Sequence, residues 1–307
     1  MITYTTTTFV NSVLTVAHVP QGNNTFSFNQ ILSLADLQMR TYIVPKIASC
    51  RENYWLTTQT YEIDPDINKY PIPSLAQGSA IVDVKVNVSQ NLIHLTRLEI
   101  SDLYSFQYSP IPGYGYYIED QYVRLNPTSL VGNLIIWYYR MASQLVPTTS
   151  CAQITDVDYE TGELTVGTVP SSFIGTGIQL DVVSQTPGFN VLIKNSVPDS
   201  IVGMVLTFDY VPPEVKVGDY ICLSGQSCVI QCPLEWIEVL VQATVCKIYE
   251  IQGYLNKLAV AKKVLEEMLV NATNLVSPRT IESAKVIYSG GALLYPQNRG
   301  WLPVRSR

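Results

Sequence analysis

Apolar residues recur every three or four positions between Pro233 and Ala272, in the most regular pattern of the chain. This spacing is typical of an amphipathic helix that packs one stripe against a partner surface. Pro233 suits a first helical turn, and Glu235 and Glu238 place negative charge where the helix dipole favours it. The stripe comprises Leu234, Ile237, Val241, Thr244, Ile248, Ile251, Leu255, Leu258, Lys262, Leu265, Leu269 and Ala272.

Gly253 interrupts the middle of this stripe, where a glycine costs about 1 kcal/mol relative to alanine in a continuous helix. The segment is therefore either one helix of about 60 Å, at a rise of about 1.5 Å per residue, or a hairpin of two helices that turns at Gly253. We favour the hairpin, because two packed helices hide both halves of the stripe against each other.

The N-terminal segment contains no Asp, Glu, Lys or Arg in residues 1–35, and Thr and Val dominate Tyr4 to Val19. These residue types favour a β-strand. A charge-free strand at a terminus is open to edge pairing, so we predict an arm over residues 1–26 that pairs with a neighbouring subunit. An internal first strand and a disordered tail are the alternatives.

Residues 27–146 mix helix and strand signals. Ser27 or Asn29 is placed to cap a helix from Gln30 to Ser49, which Pro45 is expected to end or bend. The alternation of apolar and polar residues predicts strands afterwards. The predicted strands are Tyr61–Ile63, Ala80–Val86, His94–Ile100, Tyr116–Leu125 and Leu134–Arg140.

Residues 147–212 show strand patterns only, and Tyr159–Gly162 has the composition of a hairpin turn. We therefore predict a small all-β module inserted between Pro147 and Pro212-Pro213. The expected fold class is α+β: a connector core of residues 27–146 and 213–285, built from a helical hairpin or bundle with strands, plus the module and extended terminal arms. The C-terminal arm, residues 286–307, is rich in Gly and Pro.

The composition favours protein partners. Apolar residues make up 47% of the 307 residues and charged residues only 14%, well below the usual quarter or so, and the 20 tyrosines suit interfaces. A net charge of −6 argues against a general nucleic-acid binder, although DNA could pass through a channel. We expect no secretory signal and no membrane span, since no apolar run reaches about 18 residues.

Candidate chemistry is sparse. His18 and His94 lie in no nucleophile or metal motif, so we expect both to be structural or at the surface. Cys222, Cys228 and Cys232 form a cluster in sequence, but their spacing does not match the paired motif of common zinc sites. We expect buried thiols there, without a metal or cofactor. No nucleotide-binding loop is present, so the chain is not expected to be an enzyme.

Four segments, in their order along the chain, resemble the head-to-tail connector (adaptor) proteins of tailed bacteriophages. The segments are Tyr70–Ser74 with Ala80–Val84, Tyr117–Pro127 with Leu134–Arg140, Val217–Tyr220 with Pro233–Glu235, and Ser277–Arg279. Together they cover most of residues 27–290. The low charge and the inserted β module are most similar to ring proteins of crAss-like phages.

This resemblance implies a non-enzymatic homo-oligomeric ring in the virion, usually of twelve copies, assembled in the host cytoplasm and continuing the DNA channel below the portal. Hypothetical oligomer contacts are Ile237, Val241, Ile248, Leu255, Leu258, Leu265 and Leu269. Hypothetical portal contacts are Leu293, Leu294, Tyr295, Trp301, Leu302, Arg305 and Arg307. Other neck and tail proteins are possible partners. Alternatively, the β module is an attachment domain that binds a glycan, fibre or spike, and an enzyme acting through the cysteines is the third option.

Overall fold

Helices occupy both ends of the described chain and mainly antiparallel sheets occupy its middle in a computed structural model, which has the expected α+β class. The structure describes residues 4–19, 26–64, 66–67, 69–88, 91–99, 101, 114–126 and 131–276. The helices are α1 (Thr6–Val16), α2 (Phe28–Gln38), α3 (Val44–Cys50), α4 (Leu234–Gln252) and α5 (Leu255–Val276). A π-helical turn (Met39–Ile43) joins α2 to α3, and short 3₁₀ turns span Glu52–Trp55, Thr148–Ser150 and Ser171–Phe173.

The strands fall into two groups along the sequence. The first group is β1 (Leu56–Ile63), β2 (Lys69–Pro71), β3 (Ala76–Val88), β4 (Asn91–His94), β5 (Thr96–Arg97), β6 (Gly115–Glu119), β7 (Tyr122–Asn126), β8 (Gly132–Arg140) and β9 (Gln144–Leu145). The second is β10 (Ala152–Asp158), β11 (Glu163–Val166), β12 (Leu180–Val183), β13 (Val191–Ser196), β14 (Ser200–Val202), β15 (Val205–Thr207), β16 (Tyr220–Leu223) and β17 (Gln226–Ser227).

The first group builds two four-stranded sheets, in the orders β1-β8-β3-β4 and β2-β7-β6-β5. Alternate residues of both sheets form one apolar core, which includes Val84, Val123, Leu134 and Ile136. The predicted strand over Tyr116–Leu125 is a hairpin instead, because Asp120 adopts a left-handed conformation (φ 56°) between β6 and β7. The predicted strand from His94 is divided between β4 and β5, which belong to different sheets.

The N-terminal segment is helical, so the predicted β arm is wrong. The side chain of Thr5 caps α1 by accepting from the Thr8 backbone N–H. The Thr6 N–H donates to the Cys228 carbonyl (2.8 Å), and the Thr6 hydroxyl donates to the Val146 carbonyl (2.8 Å). These bonds seat α1 on its own chain rather than on a neighbour.

Tertiary packing explains why α1 overrides the strand preference of its β-branched residues. Phe9, Val10 and Val13 lie on one face of the helix and are buried in the helical core. Thr15 turns its hydroxyl back to the Asn11 carbonyl (2.8 Å), which satisfies it within the helix. Strand propensity is a weak signal wherever a buried face at helical spacing competes with it.

Helix α2 begins after Ser27, which is one of the two predicted caps; the other, Asn29, lies within the helix. Ser27 and Gln30 form a reciprocal capping box, in which each side chain accepts from the other residue's backbone N–H (3.3 and 2.7 Å). Pro45 does not end the helical segment, because a wider π-helical turn precedes it and α3 continues to Cys50. Such turns relieve the clash between a proline ring and the preceding helical turn.

The predicted hairpin is confirmed. Gly253 ends α4 in the left-handed region (φ 72°), and the Tyr254 N–H donates back to the Tyr249 carbonyl (3.0 Å). This is the helix-ending geometry that glycine favours. Helix α4 is buried almost all round, because α1 and α2 pack on it as well as α5.

The β module extends beyond its predicted end at Pro212-Pro213. Its seven-stranded sheet has the order β13-β12-β16-β10-β11-β15-β14, so β16 lies near the centre and pairs with both β10 and β12. The predicted hairpin at Tyr159–Gly162 is confirmed between β10 and β11. The module is continuous with the other sheets and the helices in one compact unit.

A buried ion pair joins the module to the rest of the chain. Arg140, at the end of β8, contacts the carboxylate of Asp181 in β12, and both side chains are fully buried. The same carboxylate accepts backbone N–H bonds from Asn195 (2.8 Å) and Gly225 (2.9 Å). One side chain therefore holds two sheets and a turn together.

We expect Asp181→Ala to lower the free energy of unfolding by about 3–5 kcal/mol, because it leaves the Arg140 charge buried without its partner. Replacing both residues by apolar ones, as in Arg140→Met with Asp181→Leu, should recover part of that loss. The measurement is urea denaturation followed by circular dichroism.

The control is Glu250→Ala, which breaks an exposed pair with Lys247 (2.9 Å) and should leave stability almost unchanged. An Asp181→Ala protein as stable as this control would contradict the role of the buried pair.

Candidate functional site

Helix α5 exposes a second apolar stripe, separate from the one that packs on α4. Val260, Val264, Met268 and Leu275 are spaced by four, four and seven residues, which places them along one flank of the helix. Val260 is 67% exposed, Val264 40% and Leu275 58%, whereas Met268 is half-buried. We call these four residues the flank stripe.

The flank stripe borders two grooves along the hairpin of α4 and α5, and the end of α1 contributes to one of them. The turn-side groove, of about 530 Å³, is lined by Val16, His18, Gln242, Val245, Tyr249, Asn256, Lys257, Val260, Ala261 and Val264. The open-end groove, of about 340 Å³, is lined by Leu234, Glu235, Glu238, Val239, Met268, Asn271, Ala272 and Leu275. Apolar side chains at helical spacing beside a groove have the geometry that amphipathic helices use when they pack on another helix.

The two grooves differ in charge. Lys257 lines the turn-side groove, where its ammonium group lies over the rings of Tyr249 (5.8 Å) and Tyr254 (5.1 Å). Glu235 and Glu238 line the open-end groove, beside the N-terminus of α4. The surface is therefore apolar along its length, with a basic side chain towards one end and acidic ones towards the other.

The hairpin turn adds more apolar surface. Ile251, Tyr254 and Leu255 are exposed around Gly253, and Leu255 is 73% accessible to solvent. Several apolar residues this close together on a surface are typical of a site that another protein covers.

A separate groove of about 870 Å³ lies at the edge of the seven-stranded sheet that ends in β14. Ile174, Val197, Met204 and other apolar residues line it together with glycines and a few polar side chains, and no aromatic residue is among them. Ile174 and Met204 are exposed. A surface of this kind suits an apolar peptide segment better than a sugar, which typically stacks on aromatic rings.

The structure assigns most of the predicted oligomer contacts to the interior of the chain, which corrects that prediction. Ile237, Val241, Ile248, Leu258 and Leu265 are buried in the core between the helices, and Leu269 packs against it. Only Leu255, at the hairpin turn, is exposed. The hairpin hides its inner stripe against itself and against α1 and α2, so the stripe is not available to a neighbouring subunit.

The predicted portal contacts, from Leu293 to Arg307, lie outside the residues that the structure describes. The two histidines are at the surface, as expected: His18 is exposed at the end of α1, and His94 pairs with Asp83 (2.9 Å). The flank stripe was not predicted, because the longer inner stripe dominates the apolar pattern of the same helix. Its signal was present in Val260, Val264 and Met268, at four-residue steps.

The cysteine cluster has a different membership from the one expected. Cys151 joins Cys222 and Cys228, and the three Sγ atoms all lie within 4.8 Å of one another. Cys232 is buried in the helical core instead. Cys151 was missed because it is distant in sequence, although the pairing of β10 with β16 places it beside Cys222.

The three thiols differ in acidity. Hydrogen bonds from Cys222 and Cys228 lower the pKa of Cys151 to about 5. Burial raises the pKa of Cys222, because a thiolate is poorly solvated in the interior. The hydrogen bond with Cys151 raises the pKa of Cys228. These three sulfurs are the side chains that could hold a metal ion among the described residues.

Exposure should decide which thiols react, despite the acidity of Cys151. Cys50 is half-buried and the other five cysteines are buried. We therefore expect a thiol reagent such as DTNB to label about one cysteine per native chain, because burial makes a thiol inert. Cys50→Ser should abolish the labelling, and Cys246→Ser should leave it unchanged. Rapid labelling of the native Cys50→Ser protein would show that the cluster is open to solvent.

None of the helices in the described part of the chain has the length and hydropathy needed to cross a membrane. In comparisons with known proteins, no protein-family model matches the chain and no curated protein matches it significantly.

Proposed function

We propose that this chain is a structural virion protein of a tailed-phage head-to-tail connector, which associates with copies of itself into a ring. The observation that supports this most directly is the flank stripe of α5, with a groove on either half of it. An exposed apolar stripe on a stable helix needs a partner, because it would otherwise cost solubility without adding stability.

Another copy of the chain is the occupant that fits the flank stripe best. The exposed hairpin turn offers apolar residues that could enter a groove, and Lys257 and the Glu235–Glu238 pair carry opposite charges at the two grooves. Complementary charge fixes the register and orientation of an interface whose affinity comes from apolar burial. The proposed subunit contact is therefore the outer flank of the hairpin rather than its inner stripe.

The low charge of the chain agrees with this role. Only 14% of residues are charged and the net charge is −6, so a channel through the ring would hold DNA weakly and let it pass. We propose that DNA is cargo rather than ligand, and that the protein is not an enzyme. Within the described residues, neither His18 nor His94 lies in the cysteine cluster.

A C-terminal segment that fastens the ring to the portal is the second part of the proposal. Residues 290–307 combine Leu293, Leu294 and Trp301 with Arg305 and Arg307. Aromatic and arginine side chains are the usual energetic anchors of interfaces, and a Gly- and Pro-rich segment can order on its partner.

The alternative function is attachment through the β module to another tail component. Its support is the apolar groove at the β14 edge of the module, where Ile174 and Met204 are exposed. The aliphatic lining favours a protein partner such as a fibre or spike over a glycan.

The ring proposal predicts that Val264→Glu reduces the mass of the assembled particle to that of smaller species. Val264 lines the turn-side groove and has no Lys or Arg three or four positions away in the helix. A carboxylate in the flank stripe would have to be desolvated when the neighbour packs, which costs several kcal/mol for an unpaired charge. The measurement is light scattering coupled to size exclusion. The matched control is Val270→Glu on the same helix: Val270 is 60% exposed and lines neither groove.

Equal masses for the two variants would remove the flank stripe from the interface. A wild-type chain that stays monomeric at all concentrations, with or without portal protein, would defeat the ring proposal itself.

The portal contact has its own test. We expect deletion of residues 290–307 to leave the fold and the ring intact but to prevent joining to portal-bearing heads, since only the anchoring segment is lost. Circular dichroism, light scattering and co-sedimentation with heads measure the three properties. Normal joining by the shortened chain would contradict the assignment of this segment.

A further inference from the structure

Three cysteines from distant parts of the sequence meet in one buried cluster. Cys222 lies in β16, Cys151 immediately precedes β10, and Cys228 follows β17. The pairing of Ala152 with Ile221 brings the first two side by side. All three side chains are buried, and the three Sγ atoms lie within 4.8 Å of one another.

The arrangement of the sulfurs has the dimensions of a metal site. Thiolates bind a first-row metal ion at about 2.3 Å, so three sulfurs around one ion lie about 4 Å apart. The separations in this pocket need little or no change to reach that geometry. Val146, Val183, Tyr220 and Val229 surround the cysteines, and such an apolar wall would shield a bound ion from water.

The donor set selects the class of ion. Three sulfur donors favour soft, thiophilic cations such as Cu⁺ and Zn²⁺ over Mg²⁺ or Ca²⁺, which prefer oxygen. Among the described residues, no fourth His, Cys, Asp or Glu joins the group. Structural zinc sites usually have four protein ligands, so the ligand count favours Cu⁺, whereas the charge of three thiolates is better neutralised by Zn²⁺.

We propose that Cys151, Cys222 and Cys228 form a binding site for one soft, thiophilic metal ion, held as thiolates in the interior of the chain. Binding replaces the remaining S–H protons with metal–sulfur bonds and releases those protons to solvent, so no oxidant or reductant is consumed. This site is independent of the proposed ring contact, because the flank stripe lies on α5 and none of the three cysteines belongs to that helix.

The ion would stabilise the surface on which helix α1 begins. The Cys228 carbonyl accepts from the Thr6 N–H (2.8 Å), and the Thr6 hydroxyl donates to Val146 (2.8 Å), whose side chain lies in the wall of the pocket. A metal ion that ties β10, β16 and the segment after β17 together therefore also fixes the surface on which α1 begins. Because such a site is absent from the unfolded chain, binding is coupled to folding.

The test uses the full chain, purified with a non-thiol reductant and then unfolded in chelator, freed of metal and refolded. Separate samples receive Cu⁺, Zn²⁺ or Mg²⁺, and bound metal is measured by mass spectrometry after gel filtration. We expect about one ion per chain for Cu⁺ or Zn²⁺, with a higher melting temperature, and no binding of Mg²⁺. Co²⁺ in place of Zn²⁺ should add sulfur-to-metal charge-transfer absorption.

Variants assign the ligands. Cys228→Ser and Cys151→Ala should each lower the bound metal at least tenfold, whereas Cys232→Ser should keep it, because Cys232 is equally buried but lies outside the cluster. The wild-type measurements decide the question even if a site variant fails to fold. Less than about a tenth of an ion per chain in every metal sample would overturn the proposal. Equal metal binding by the Cys228→Ser and wild-type chains would also overturn the proposal. So would a Cys151–Cys222 disulfide that persists in the protein purified with reductant.

Discussion

The carboxylate of Asp181 is the point on which the two halves of this molecule depend. It lies in the seven-stranded sheet, yet it contacts Arg140 from the neighbouring four-stranded sheet and accepts N–H bonds from Asn195 and Gly225. A buried carboxylate is costly unless it is hydrogen-bonded, and this one has three N–H donors around it. The two sets of sheets, each with its own apolar core, are therefore joined at one point by a buried polar contact.

The two apolar surfaces of the helical hairpin differ in their surroundings. The inner stripe belongs to the core of the chain, where α4 is covered by α1, α2 and α5. The flank stripe on α5 has no such cover among the described residues. Substitutions in the flank stripe should therefore change the surface of the chain with little effect on its stability, because the stripe contributes little to the core.

Sequence patterns predicted those parts of the fold that local signals determine. The hairpin followed from a regular stripe and one glycine, and the start of α2 followed from Ser27, one of the two candidate caps. The parts that failed depend on distant contacts. Helix α1 carries strand-forming threonines. Its C-terminal end is held by Tyr249, 232 residues away, whose hydroxyl donates to the carbonyl of Ala17 (3.3 Å). Likewise, Cys151 and strand β16 acquire their roles only through sheet pairing across long stretches of chain, which no local period reveals.

The central position of β16 has a consequence for biosynthesis. Strands β10 to β15 leave the ribosome well before residues 220–223, yet the sheet lacks its middle until those residues arrive. Helix α1 precedes α4 by more than 200 residues and can pack on it only after α4 has been made. Sheets and helices closed by such late segments fold slowly, since loop closure precedes the gain from contacts. The seven-stranded sheet and the helical core therefore close only after residues 220–252 have been made, so both depend on contacts between segments that are far apart in the sequence.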